Sequence, residues 1–346
     1  MRILMVRLSS IGDLVHTLPA LSALRRRFPD ATIDWLVETH HRDVLLSNPD
    51  VNELVEVDTF RWRKRLFSPA TWREIAASVR EIRKRDYDVV LDLQGTIKSS
   101  VAARLAKSDR HVGFATSALK EKAASLFYSE RIGVNGTPDH VIDRHLRLLT
   151  AFDIEPDHVV ERNFPIVVPD EMDQAAAEKL ESLGLSDYVV LNPGASWVTK
   201  RWDPEKFGAL AVALAEEWKL PSLVIWGPGE EDIARRIVET SGEAAKLAPL
   251  TGLRGVIPYI RRARLFVSGD TGPMHLASAF GVPVVGIFGP TDPARNGPFG
   301  EGDKVVWEDV PCGPCYKHRC PGYGNVCMTS IEVDDVLEAV RRRLQT

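Results

Sequence analysis

The sequence predicts two consecutive α/β domains, each built on a parallel sheet with helices on both faces. Three observations predict this. The chain has 346 residues, more than one hydrophobic core usually serves, since domains run to roughly 100–200 residues. Short β-type runs alternate with longer amphipathic runs of helical spacing, the rhythm of parallel βαβ units. A polar, proline-containing stretch at 160–169 then separates one such series from the next. The expected domains are 1–165 and 166–332, followed by a helix at 333–346 that returns to the first domain.

The first series opens with a β-type run from Arg2 to Leu8 and a turn of small residues, Ser9-Ser10-Ile11-Gly12-Asp13. Leu14, Leu18, Leu21 and Leu24 then recur at helical spacing up to Phe28. Pro29-Asp30 ends that helix, and Thr32–Val37, Leu54–Val57, Val89–Leu93 and His111–Gly113 read as further strands. The second series begins with a helix over Glu171–Leu183 and a strand over Tyr188–Leu191, which runs into the loop Asn192-Pro193-Gly194-Ala195-Ser196. A helix over Pro204–Trp218 and a strand over Ser222–Trp226 follow, then the loop Gly227-Pro228-Gly229-Glu230. Strands over Leu265–Ser268 and Val284–Phe288 and a helix over Val333–Leu344 complete the series.

Composition removes several classes of function. A net charge of −4 and a pI near 6.2 argue against a nucleic-acid binder that relies on a global basic surface. The N-terminal apolar run is far shorter than a signal peptide's core, and no stretch approaches the ~20 apolar residues of a membrane span. The expectation is a cytoplasmic protein, with peripheral contact at the inner face of the cytoplasmic membrane left open.

Ligands of open α/β sheets bind beyond the C-terminal ends of the strands, so the loops after strands carry the chemistry. Ser268-Gly269-Asp270-Thr271-Gly272-Pro273-Met274-His275 follows a strand and opens a helix; its N–H groups suit an anion, or Asp270 or Thr271 simply caps the helix. No G-x-x-x-x-G-K-[ST] motif occurs. Lys200 leaves the loop after Tyr188–Leu191, placed to neutralise a diphosphate or merely to be solvated. Glu230 is placed either to bind ribose hydroxyls or to favour the start of a helix. Asp13 is either an N-cap or a carboxylate able to deprotonate a hydroxyl. Arg61-Trp62-Arg63-Lys64-Arg65 is either a solvated face or a clamp for phosphate or carboxylate groups. Cys312, Cys315, Cys320 and Cys327 fit reduced thiols or a metal clip better than disulfides in a cytosolic protein. Four thiolates suffice for a tetrahedral ion, but C-x4-C-x6-C is no standard zinc spacing, so the expectation is no metal.

These segments together resemble the ADP-heptose–lipopolysaccharide heptosyltransferases, glycosyltransferase family 9, and most of all their type I members. The resemblance rests on residues 9–21 (SSIGDLVHTLPAL), 60–68 (FRWRKRLFS), 88–99 (DVVLDLQGTIKS), 124–128 (ASLFY), 267–279 (VSGDTGPMHLASA) and 288–293 (FGPTDP). It implies a GT-B fold, two Rossmann-like domains facing across a cleft, and inverting transfer of heptose from ADP-heptose to a Kdo residue of the lipopolysaccharide inner core. Asp13 falls on the family's proposed general base and Lys200 on its donor-site lysine. Ser196, Glu230, Asp270, Thr271, Gly272 and His275 fall on the donor site. Ser10, Gly12, Arg61, Arg63, Lys64, Lys120, His140 and Arg144 fall on the site for an anionic Kdo–lipid A acceptor at the inner membrane surface. Lys120 stands where type I members commonly have arginine, and lysine lacks the bidentate fork. No D-x-D motif ends a strand in a donor-binding context, so no divalent metal is expected to hold the diphosphate. Type II members, other family members with a different acceptor, and a non-catalytic nucleotide-sugar binder are the alternatives.

Overall fold

The computed structural model describes residues 1–134 and 140–345, and the chain divides into two compact units, Met1–Val167 and Val168–Thr346. In the first unit β1 (Arg2–Val6), α1 (Ile11–Arg27), β2 (Thr32–Glu38), β3 (Glu53–Val57), α2 (Thr59–Lys64) and α3 (Pro69–Lys84) come first. β4 (Val89–Asp92), α4 (Ile97–Leu105), β5 (Arg110–Phe114), β6 (Glu130–Ile132) and α5 (Val141–Arg147) follow. The sheet order is β3-β2-β1-β4-β5-β6, and every pairing is parallel. Because β1 is covered on both faces, Ile3, Leu4, Met5 and Val6 are all fully buried, which explains an unbroken apolar run in place of alternation.

The second unit runs α6 (Asp170–Ser182), β7 (Val189–Asn192), α7 (Pro204–Trp218), β8 (Ser222–Val224), α8 (Glu231–Ser241), β9 (Ala245–Leu247) and α9 (Leu253–Arg261). It continues with β10 (Leu265–Gly269), α10 (Gly272–Ala279), β11 (Val284–Phe288), α11 (Pro293–Asn296), β12 (Lys304–Trp307), α12 (Val326–Thr329) and α13 (Val333–Leu344). Its sheet, also wholly parallel, is ordered β12-β11-β10-β7-β8-β9. Counted within each unit, both sheets follow the 3-2-1-4-5-6 order of doubly wound nucleotide-binding folds. The order reverses between β1 and β4 in one sheet and between β7 and β10 in the other. Those two reversals mark where a ligand crevice opens.

Two differences from the sequence expectation have physical causes. The C-terminal helix, expected to return to the first domain, packs on α7, β11 and β12 of the second unit. Val336, Leu337, Ala339 and Val340 form its apolar stripe and are buried in that unit's core. The strands β6, β9 and β12 escaped notice because each is only three or four residues long and partly exposed. Among the described residues no helix is long and apolar enough to cross a membrane.

Candidate active site

At the first reversal β1 stops at Val6, and residues 7–10 form the loop into α1. Ser10 is the helix N-cap and Asp13 the third helical residue, so its carboxylate folds back on the turn. Asp13 Oδ2 accepts hydrogen bonds from the Ser10 N–H at 3.0 Å and the Ser10 hydroxyl at 2.8 Å. Oδ1 meets Arg7 Nη2 at 2.5 Å. Arg7 is buried and anchored across the reversal, donating from Nη1 to the Leu93 carbonyl at 2.7 Å. Burial opposes ionisation of Asp13, yet the Arg7 guanidinium and the Ser10 hydrogen bonds outweigh it and hold the carboxyl below its ordinary range. The Asp13 side chain is still 37% exposed, so the carboxylate is charged, fixed and reachable. Capping and chemistry are therefore compatible: one oxygen caps and the other is set by Arg7.

α5 packs along α1 and brings further groups to this end of the sheet. Thr17 donates to the Asp13 carbonyl at 2.8 Å, and its hydroxyl lies 3.3 Å from His145 Nδ1. Burial and the neighbouring Arg7 push the His145 imidazole down to about 3, so this ring is neutral at physiological pH. His140 caps α5 by accepting from the Ile142 N–H at 3.3 Å, and its ring stands edge-on to His16 at 5.4 Å. Arg144 donates to the Ala118 carbonyl at 2.9 Å and lies over the Phe114 ring. Gly12 is buried, whereas Ser10 and Lys120 are exposed. The basic run forms α2, on which Arg61 pairs with Glu74 at 2.8 Å and Arg63 and Lys64 lie against the Phe60 ring.

At the second reversal the loops after β7 and β10 meet. A Cβ on Gly269 would come within 2.6 Å of the Lys200 carbonyl oxygen, so only glycine lets the Lys200 backbone lie against the end of β10. That approach sets Lys200 Nζ 2.6 Å from Asp270 Oδ2 and 3.3 Å from the Asp270 carbonyl, over the Trp197 ring at 4.5 Å. Asp270 Oδ1 faces His275 Nε2 at 3.3 Å. Burial would raise the Asp270 carboxyl, but the His275 hydrogen bond and the Lys200 charge hold it far below the carboxylate range. Neither Asp270 nor Thr271 serves as a side-chain cap for α10. The Thr271 hydroxyl instead accepts from Asn192 Nδ2 at 2.9 Å and lies 3.0 Å from Ser268 Oγ. Gly272 opens α10, leaving first-turn N–H groups of the kind that receive an anion.

Glu230 turns away from its own helix and accepts from the Gly227 N–H at 2.9 Å, with Arg201 at 4.0 Å. Glu231 pairs along α8 with Arg235. A Cβ on Gly194 would fall 2.0 Å from Glu230 Oε2, so Gly194 and Glu230 are mutually fitted. Gly194→Ala is expected to swing that carboxylate aside, and because it is the far end of a flexible side chain the loss of unfolding free energy should be about 1 kcal/mol or less; a loss of several kcal/mol in urea denaturation would show that Glu230 cannot move. Ser196 is exposed.

The four cysteines are unpaired and line one cavity of about 60 Å³. Burial and the three other thiols push Cys327 up to about 11. Among the described residues no three His, Cys, Asp or Glu side chains are arranged to hold a metal. Their segment docks on the Lys200 loop: Thr199 donates to the Lys317 carbonyl at 2.7 Å, and His318 stacks on Trp197 at 4.0 Å. Sequence reasoning missed Arg7, His145, Asn192 and Trp197. The only signal for Arg7 was a cation interrupting an apolar strand.

A family model described as glycosyltransferase family 9 (heptosyltransferase) matches residues 75–324. The lipopolysaccharide heptosyltransferase 1 of Pseudomonas aeruginosa is 32% identical over 331 residues, covering 92% of this chain and 87% of that protein. The lipopolysaccharide heptosyltransferase 1 of Escherichia coli K12 is 32% identical over 314 residues, covering 88% and 93%. The solved E. coli heptosyltransferase WaaC with ADP-2-deoxy-2-fluoro heptose superposes with a TM-score of 0.78 at 27% identity, covering 99% of each chain.

Proposed function

This chain belongs to glycosyltransferase family 9, and from that premise we propose that it transfers heptose from ADP-heptose to a Kdo residue of the lipopolysaccharide inner core, with inversion at the anomeric carbon. The observation that carries the reading is the pair of charged clusters, one at each sheet reversal: an ionised, reachable Asp13 and the Lys200–Asp270–His275 group. The type I relatives and the ADP-sugar analogue held by WaaC support the donor and the acceptor class.

In this scheme Asp13 takes the proton of the acceptor hydroxyl as that oxygen attacks the anomeric carbon. The bond from that carbon to the diphosphate oxygen breaks on the opposite face, and ADP leaves with the electron pair. An ammonium has three donors; Lys200 directs two contacts at Asp270 and has a third N–H for a diphosphate oxygen. The start of α10 and the Thr271 hydroxyl would hold the same anion, and preorganised donors of this kind stabilise developing charge. Asp270, fixed by Lys200 and His275, would accept from heptose hydroxyls, Glu230 from the ribose, and Ser196 would contact the donor at the edge. Arg61, Arg63, Lys64, Lys120, His140 and Arg144, with Ser10 and Gly12, would receive the anionic acceptor. The diphosphate charge is met without a divalent ion.

The test supplies ADP-heptose and EDTA with either a Kdo-terminated or a heptose-terminated acceptor, and NMR reads the anomeric configuration of the product. Transfer to the Kdo-terminated acceptor with inversion, undiminished by EDTA, is the expected result. Transfer confined to the heptose-terminated acceptor defeats the acceptor assignment, and loss of activity in EDTA defeats the metal-free one.

A further inference from the structure

Residues 60–73 hold five cations (Arg61, Arg63, Lys64, Arg65 and Arg73) and no acid, in a chain whose net charge is −4. The same segment carries large apolar side chains turned to solvent: Phe60 at 54% exposure, Leu66 at 45%, Trp72 at 58%, and Phe67 fully exposed. Isolated exposed apolar residues are ordinary, but four in one short segment are not. The segment is no frayed loop. Asp58 caps α2 through the Arg61 N–H, Trp62 packs inward on the first core, and Trp72 Nε1 closes the turn on the Leu66 carbonyl at 2.8 Å. The Thr59 N–H donates to Glu38 at 3.0 Å, tying the start of α2 to the end of β2. Local folding thus holds Phe60, Leu66 and Phe67 outward and does not let them collapse onto the core.

We propose that the turn from α2 into α3 is a docking surface for an anionic lipid bilayer, with Leu66 and Phe67 entering the interface and Arg63, Lys64 and Arg65 facing the headgroups. Charge complementarity selects that occupant. Arg63, Lys64 and Arg65 are exposed, and among the described residues none of them has a carboxylate within ion-pair distance. Basic residues beside exposed aromatic and aliphatic side chains are what an interfacial segment requires. β3 ends at Val57 and α2 begins at Thr59, so the surface lies at the C-terminal edge of the sheet, the edge that also carries Asp13. A lipid-anchored acceptor would therefore be met at the edge where its hydroxyl is to react; that clause rests on the proposed function, whereas the docking does not.

The experiment sediments the full chain with extruded vesicles of phosphatidylglycerol and phosphatidylethanolamine, or of phosphatidylcholine, with no saccharide present. Leu66→Ser/Phe67→Ser is compared with wild type, since both side chains are exposed and neither has been placed in the transfer machinery. Expected is salt-sensitive binding to the anionic vesicles, weak binding to phosphatidylcholine, and a fall of about tenfold or more in partition for the double variant, the scale expected for removing two inserted side chains. Turnover on a lipid-free acceptor should be unchanged. No binding to anionic vesicles, equal binding by the variant, or equal binding to phosphatidylcholine overturns the proposal. Self-association that the double variant abolishes, without vesicle binding, overturns it in favour of a second copy of the chain. Because the vesicles hold no substrate, failure of the heptosyl-transfer reading leaves this result standing, and the reverse.

Discussion

Asp13→Ala is expected to lower turnover by about 10²–10⁴-fold, the range for loss of a general base, while ADP affinity stays nearly unchanged. The separation follows from placement: Asp13 lies at the β1–β4 reversal, whereas the residues proposed to hold the nucleotide belong to β7, β10 and their loops. Arg7 supplies a second reading of the same group. It holds Asp13 below the ordinary carboxylate range, so the base is ionised throughout the neutral range and contributes no acid limb there. Arg7→Gln leaves burial opposed chiefly by the two Ser10 hydrogen bonds, and the acid limb of kcat/KM should move up toward neutrality. The stability sign runs the same way. A carboxyl lowered on folding stabilises the protein above its unfolded pKa, and that contribution fades as pH falls through the folded value. Initial rates against pH, with ADP calorimetry on both variants, check the set. Wild-type turnover in Asp13→Ala removes this carboxylate from the mechanism, whereas no turnover by the wild-type chain itself leaves a nucleotide-sugar binder as the better account.

Lys200→Ala is expected to cut kcat/KM by about 10²–10³-fold, the scale of losing one preorganised donor to a developing oxyanion, and to weaken ADP binding as well. It carries a cost in folding that must be told apart from the cost in chemistry. The Lys200 and Asp270 side chains are only 15% and 6% exposed, and removing one partner of a buried pair destabilises by about 3–5 kcal/mol. The double variant Lys200→Ala/Asp270→Asn discharges the stranded carboxylate. Its melting temperature should recover toward wild type, while its rate should not. Recovery of both would show that Lys200 acts only as the counter-ion of Asp270 and not on the diphosphate.

Much of this arrangement was legible in the sequence, and the failures are informative. Pro204–Trp218, Val284–Phe288 and Val333–Leu344 were read at their observed ends, because a proline or turn residue and a clear apolar period bounded each. Asp13, Lys200 and Asp270 stand out in the sequence as candidates by their position after strands, and each lies in a charged cluster at a sheet reversal. Arg7 and His145 do not stand out, since their partners lie 6 and 128–138 residues away along the chain and no local pattern marks a buried charge by its partner. The direction of the C-terminal helix also escaped. Its stripe of Val336, Leu337 and Val340 announces that a face will be covered, but periodicity does not say which core covers it.

Both sheets repeat one strand order and share no strand, and this bears on how such a molecule diverges. With the acceptor and the nucleotide assigned as proposed above, substitutions around α1 and α5 would change which hydroxyl is accepted while the loops of β7 and β10 keep their nucleotide. A swap of one half between relatives should carry one preference with it and spare the other.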